Sequence, residues 1–194
     1  AFIANDFINS FGEKKIIKKE EKLKFLASIK TVATEMNNDL FKLSKSKFIK
    51  KYGHLRPSTY DINSKNYKEG YNVYFSKKNI KNKINENSFK FNNFQILKIE
   101  EYIKKSRLPF SALQLIKFIK TSISEREKSK FIFSKNVDSV FNLIEKIGKR
   151  SNIQRKDLGY INIKTILDLY YNLDIKTLEE KLKKEIEYNK QLYK

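Results

Sequence analysis

Residues 112–147 read ALQLIKFIKTSISEREKSKFIFSKNVDSVFNLIEKI, and the spacing of their apolar positions decides the fold class. Ile116, Ile119, Ile123, Arg126, Lys130, Phe133, Val137, Val140, Ile144 and Ile147 follow one another at strict three-four alternation. That period lines side chains along one face of an α-helix and cannot be satisfied by a strand, whose side chains repeat every second residue. Ser111 is placed to cap the start of this helix and Gly148 to end it. Two cations, Arg126 and Lys130, interrupt an otherwise apolar stripe.

Working outward, residues 20–43 carry the same signature. Leu26, Ile29, Ala33, Met36, Leu40 and Leu43 predict one helix whose stripe packs against the long one. A short helix is expected at 47–52, with Ser46 as its cap and Gly53 in the left-handed conformation that ends it. Further helices are expected at 93–105, 155–160, 162–171 and 175–193. No strand pattern and no internal repeat compete, so the expected architecture is all-α, a multi-helix bundle with a long irregular aromatic-rich loop. Residues 1–194 present themselves as a single helical domain.

The irregular part is 53–91, where periodicity is lost but Tyr60, Tyr67, Tyr71, Tyr74, Phe75, Phe89 and Phe91 persist. So many aromatics suit an ordered segment pinned onto the helices, with 77–88 as a mobile loop. Its start, Lys51-Tyr52-Gly53-His54-Leu55-Arg56-Pro57-Ser58-Thr59-Tyr60-Asp61-Ile62, holds the only histidine of the chain, one of its five arginines and one of its two prolines. Such a concentration of conformationally special residues marks a fixed loop or a site.

The composition bounds the partners. A net charge of +20 ordinarily points to nucleic acid or an anionic surface. Here only five of the 42 basic residues are arginine, and lysine travels with asparagine and isoleucine, as AT-rich coding would give. The lysine pairs are scattered and mixed with glutamates, as on solvated helix faces. Nucleic acid is therefore the secondary reading, and base stacking on the aromatics near 60–75 a minor variant of it. The absence of cysteine suits a reducing cytoplasm and excludes thiolate metal sites, and one histidine leaves no histidine-rich metal site. No apolar run reaches the roughly 20 residues a spanning helix needs, so no membrane role is expected. The start, Ala-Phe-Ile-Ala-Asn-Asp, lacks a basic stretch followed by an apolar block and so is no signal peptide. It reads as a piece cut from a larger multi-domain protein.

Two groups of residues could carry chemistry. Arg126 and Lys130 on an apolar stripe need acceptors, because a buried charge is costly unless paired. Glu125, Glu127, Asp61 or loop carbonyls could close a polar layer; a bound phosphate or carboxylate could face the pair instead, or the two cations could point to solvent. His54, Arg56 and their neighbours form the second group. His54 could act as a base or phosphoryl acceptor, but no supporting residues accompany it. The other reading has His54 and Arg56 bonding backbone carbonyls and a carboxylate, Pro57 stiffening the loop and Asp61 making an Asx-type turn. With five glycines, none close together, the chain has no phosphate-cradling loop of its own. No catalytic set and no metal-ligand set is expected.

Tyr52-Gly53-His54-Leu55-Arg56-Pro57, then Thr59-Tyr60-Asp61-Ile62 and Tyr67, together with Arg126-Glu127-x-x-Lys130-Phe131-x-Phe133-Ser134-x-Asn136 and Arg155-x-Asp157-Leu158, resemble the central helical region of phosphoenolpyruvate synthase and pyruvate phosphate dikinase-like phosphotransferases. Phe2-Ile3-Ala4-Asn5-Asp6-Phe7 and Ser28-Ile29-Lys30-Thr31-Val32-Ala33 look similar too. The resemblance implies a non-catalytic linker or acceptor-binding domain lying between an ATP-grasp module and a swivelling phosphohistidine domain. ATP and Mg would belong to that parent protein, and the acceptor is open. The phosphohistidine of the family lies in a Gly-rich Ser/Thr-His setting that His54 does not share. By the same resemblance Tyr52, His54, Arg56, Tyr60, Asp61, Arg126, Glu127 and Lys130 are the residues near substrate or in a structural lock, with the 54–61 loop docking on the long helix.

Overall fold

In the computed structural model, which describes residues 1–76, 88–168 and 175–193, the chain is all-α, and no strand occurs among the described residues. The expected mobile loop at 77–88 falls outside them except for Ser88. Among the described residues ten helices follow in order: α1 (Phe2–Glu13), α2 (Lys19–Ala27), α3 (Val32–Lys42), α4 (Lys45–Tyr52), α5 (Tyr71–Tyr74), α6 (Asn93–Lys105), α7 (Ala112–Arg150), α8 (Arg155–Leu158), α9 (Ile163–Asp168) and α10 (Ile175–Leu192). They form two compact units, Ala1–Phe48 with Lys81–Ile132, and Ile49–Ile80 with Phe133–Lys194.

The first unit is built on α1, α2, α6 and the first half of α7. Ala4, Ile8 and Phe11 of α1 lie four and three residues apart and are fully buried with Phe25, Ile99, Ile103, Leu115 and Ile119. Phe25 is the centre of an edge-to-face aromatic cluster, 5.9 Å from Phe89 and 5.0 Å from Phe91. Such contacts add to burial alone. Polar bolts join the same helices: Gln95 donates to Glu21 (3.0 Å), and the Ala112 amide, unsatisfied at a helix start, donates to Glu100 (2.6 Å).

Phe25 of α2 shares a core with Leu115 and Ile119 of the long helix, but the single helix expected over 20–43 is two helices. Ser28 turns its hydroxyl onto the Phe25 carbonyl, and Thr31 and Thr34 form a reciprocal capping box that starts α3 anew. Capping chemistry here prevails over a continuous apolar period. Ser111 caps α7 as expected, in a box with Gln114. The helix at 47–52 begins at Lys45, with Ser44 rather than Ser46 accepting from the Lys47 amide.

Helix ends depart from the glycine rule in a consistent way. Lys15, Arg107 and Asn152 hold left-handed backbone (φ 55°, 53° and 51°), and no glycine does. In each case the next amide bonds five residues back: Ile16 to Phe11, Leu108 to Ile103, Ile153 to Gly148. This is the Schellman arrangement, with an apolar residue closing the turn. Gly148 therefore does not end α7, which runs on to Arg150; it is a packing position, where an added Cβ would sit 2.8 Å from Leu158 Cδ2. Gly53 is not left-handed either. Its need for glycine is a close approach, since a Cβ would lie 2.4 Å from the Ile49 carbonyl oxygen.

The second unit gathers Ile62, Ile144, Ile153, Leu158, Leu182 and Ile186 around the second half of α7. The α7 stripe is consequently not one seam. Leu115 and Ile119 bury in the first unit and Ile144 in the second, while Arg126, Lys130 and Phe133 between them are exposed. The expected helix at 162–171 is observed over Ile163–Asp168, its remainder lying outside the described residues.

Candidate functional site

The segment after α4 folds without regular structure but is densely bonded. The Tyr67 amide donates to the Leu55 carbonyl (2.7 Å) and that of Lys68 to Gly53 (3.0 Å), drawing the segment into a closed loop. Its tip is a pair of turns, Asp61 N to Ser58 O (3.1 Å) and Ser64 N to Asp61 O (3.1 Å). The Asp61 carboxylate accepts from the Asn63 amide at 2.8 Å, the Asx turn expected of it. Tyr60 at the tip is 73% exposed. Tyr52, at the base, is fully buried, and His54 half-buried.

Arg56 is the hub of this loop. Its side chain is 3% exposed, forms an ion pair with Asp138 on α7, donates to the Ser64 carbonyl (3.1 Å) and lies 4.8 Å over the Phe141 ring. The same Asp138 oxygen accepts from Asn66 (2.9 Å), and the other from Asn142 (3.2 Å). The Asn66 amide donates to the Glu69 carboxylate (3.4 Å) and the Glu69 amide to the Asn66 side-chain oxygen (2.9 Å), and Glu69 in turn holds Arg155 of α8 (2.9 Å). Arg155 also reaches Glu145 on α7 (3.2 Å) and the Ile62 carbonyl (2.8 Å). The result is a continuous polar network in which two arginines meet three carboxylates, so the charges nearly cancel; its Arg56 end is buried, while the Arg155–Glu69 end is partly exposed. A buried guanidinium is tolerable on these terms, because its planar fork is satisfied on several sides.

The sequence-based expectation that Arg56 bonds a backbone carbonyl and a carboxylate is met. The carboxylate, however, is Asp138, which that reading passed over, as it did Asn66, Glu69 and Glu145. A signal for two of them exists in α7: Asp138 and Glu145 lie seven residues apart and so share a face with Phe141 and Gly148.

The loop does dock on the long helix, but not through Arg126 and Lys130. Arg126 is exposed and donates to its own neighbour Glu127 (2.9 Å), and Lys130 is exposed. The physical reason is that Arg126 and Lys130 themselves face solvent, which leaves these cations in no need of a protein acceptor. Tyr52, His54, Arg56, Tyr60 and Asp61 thus fall in the second unit and Arg126, Glu127 and Lys130 in the first.

Burial pushes the Tyr67 phenol above its ordinary range, with Tyr74, 5.5 Å away between ring centres, adding to the effect. Glu21 is held below the usual carboxylate range chiefly by the Lys18 amide, and Glu101 by Lys105. Among the described residues no group of three or more histidine and acidic side chains could hold a metal ion, and no helix is long and apolar enough to cross a membrane. The network described above can fix a loop; every carboxylate in it is already engaged by a donor. No protein-family model, curated protein or solved structure matches this chain.

Proposed function

We propose that this chain is a non-catalytic helical linker or acceptor-binding domain of a cytoplasmic phosphotransferase resembling phosphoenolpyruvate synthase and pyruvate phosphate dikinase. The observation that carries the reading is how the residues of that resemblance divide. Tyr52, Arg56, Arg155 and Leu158 are consumed in holding the second unit together, whereas Arg126 and Lys130 stay exposed and unused by the packing. Cations kept on a surface without a structural task suit an anionic acceptor or the face of a flanking domain. ATP, Mg and the phosphohistidine belong to neighbouring domains in this account.

The test is the reading frame around the chain. An ATP-grasp module on one side and a Gly-rich Ser/Thr-His module on the other support the proposal; unrelated flanks remove it. The isolated chain, incubated with labelled ATP or phosphoenolpyruvate, takes up no label, and stable phosphate on His54 contradicts the non-catalytic role.

The net charge of +20 favours a second reading, a basic helical nucleic-acid-binding or interaction module. Phosphate-driven binding to duplex DNA falls with salt at a log-log slope of about −0.9 per contact. Tight, sequence-selective binding would place this reading first; weak, unselective binding restates the charge alone.

A further inference from the structure

The half of α7 in the second unit sorts its charges by sign. Between Phe133 and Arg150 the two carboxylates, Asp138 and Glu145, are paired with Arg56 and Arg155. The exposed charged side chains, Lys135, Lys146, Lys149 and Arg150, are all cations. On the outer side stand Phe133, Val140 and Leu143, 52%, 42% and 58% exposed. With Asn136, also exposed, they follow a three-four-three spacing and form one stripe about 15 Å long at the rise of an α-helix. Lys146 and Arg150, three and seven residues beyond Leu143, border its end.

We propose that this stripe is a docking face for an acidic amphipathic helix of a partner protein. Phe133, Val140 and Leu143 supply the apolar anchors of a helix-against-helix contact, and carboxylates on the flank of the incoming helix meet Lys146 and Arg150. Charge selects this occupant over a second copy of the chain, which would set cations against cations. Asn136 selects it over lipid. Its amide, left without a partner in hydrocarbon, costs of order several kcal/mol, whereas a facing helix can offer a polar side chain, as paired polar residues do in helical seams. The proposal stands independently of the phosphotransferase reading.

The test is a titration of the full chain, isotope-labelled for NMR, with a synthetic three-heptad peptide carrying leucine seams, glutamate flanks and one central asparagine. Amide shifts are expected to saturate and to concentrate at residues 133–150. Binding should weaken at least tenfold in Val140→Asp with Leu143→Asp, and in Lys146→Glu with Arg150→Glu as a second pair should the first fail to fold. A peptide with lysine in place of glutamate should not saturate. Shifts scattered over distant lysines, binding unaffected by both pairs, or no saturable binding would overturn the proposal. So would tighter attachment to phosphatidylglycerol vesicles through this stripe, or self-association that Val140→Asp abolishes.

Discussion

Arg56 and Asp138, 82 residues apart in the chain, form a buried ion pair that fastens the irregular segment after α4 to the second half of α7. The pair ties down a segment with little regular structure of its own. Its surroundings satisfy both partners: Ser64 and Phe141 around the guanidinium, Asn66 and Asn142 around the carboxylate. Within the His-Leu-Arg-Pro sequence Arg56 is thus engaged in fixing the loop.

Arg126 and Lys130 should behave in the opposite way. Both are exposed, and the Arg126 ion pair to Glu127 is a surface pair between chain neighbours. Arg126→Ala and Lys130→Ala are expected to move stability by no more than about 0.5 kcal/mol, the usual range for surface changes. Denaturant midpoints displaced by several times that amount would return these residues to a buried layer.

The three left-handed helix ends offer a stabilising route. Lys15, Arg107 and Asn152 adopt a conformation that L-residues enter at a cost, more for lysine and arginine than for asparagine. Lys15→Gly and Arg107→Gly should each raise stability by roughly 0.5–1 kcal/mol, with Asn152→Gly gaining less. Thermal melts of the three variants check the order; lower melting temperatures throughout would contradict it.

Gly148 and Gly12 both lie in helices, yet alanine should act on them with opposite sign. Nothing lies within 4 Å of a Cβ at Gly12, so Gly12→Ala should gain up to about 1 kcal/mol from helix propensity. At Gly148 the Cβ meets Leu158 at 2.8 Å and the Ile153 carbonyl oxygen at 3.2 Å, and Gly148→Ala should lose about 1–3 kcal/mol by overpacking. Urea unfolding of the two variants decides it.

Tyr67 sets an alkaline limit. Its phenol ionises at higher pH in the folded chain than in the unfolded one, because burial disfavours the phenolate. Its contribution is complete below the ordinary phenol value of about 10 and is lost as pH rises from there through the raised folded value, where the unfolded chain has already released its proton. Tyr67→Phe should therefore lose stability less steeply than the parent above that pH. Parallel pH profiles for the two proteins would show that Tyr67 is not the group concerned.

Helix content was legible because most segments carry a three-four apolar period that no strand could use, and α6 falls on the bounds its period indicates. What the period could not reveal was where burial stops. Arg126 and Phe133 continue the stripe of Ile119 and Ile144, but a stripe says which face is apolar, not how far a partner extends along it. The break after α2 turns on Ser28 and Thr31, whose local bonds outweigh periodicity. Helix α1 was missed although Ala4, Ile8 and Phe11 carry the right spacing, because its asparagines and Gly12 weaken any propensity reading. At the site, Arg56 and the Asp61 turn follow from residue chemistry. Asp138 does not, since its partner lies far away in sequence and an acidic residue on a helix reads by default as solvated.

The hold of Arg56 and Asp138 on the loop is tested directly by a double-mutant cycle. Arg56→Ala and Asp138→Ala, measured singly and together by denaturant unfolding, are each expected to cost about 3–5 kcal/mol, since either leaves a buried charge without its partner. The double variant should cost clearly less than their sum, with a coupling of roughly 2–3 kcal/mol. A coupling near zero, with the Arg56→Ala midpoint unchanged, would mean that the loop is not held by this pair and that Arg56 is free for another role.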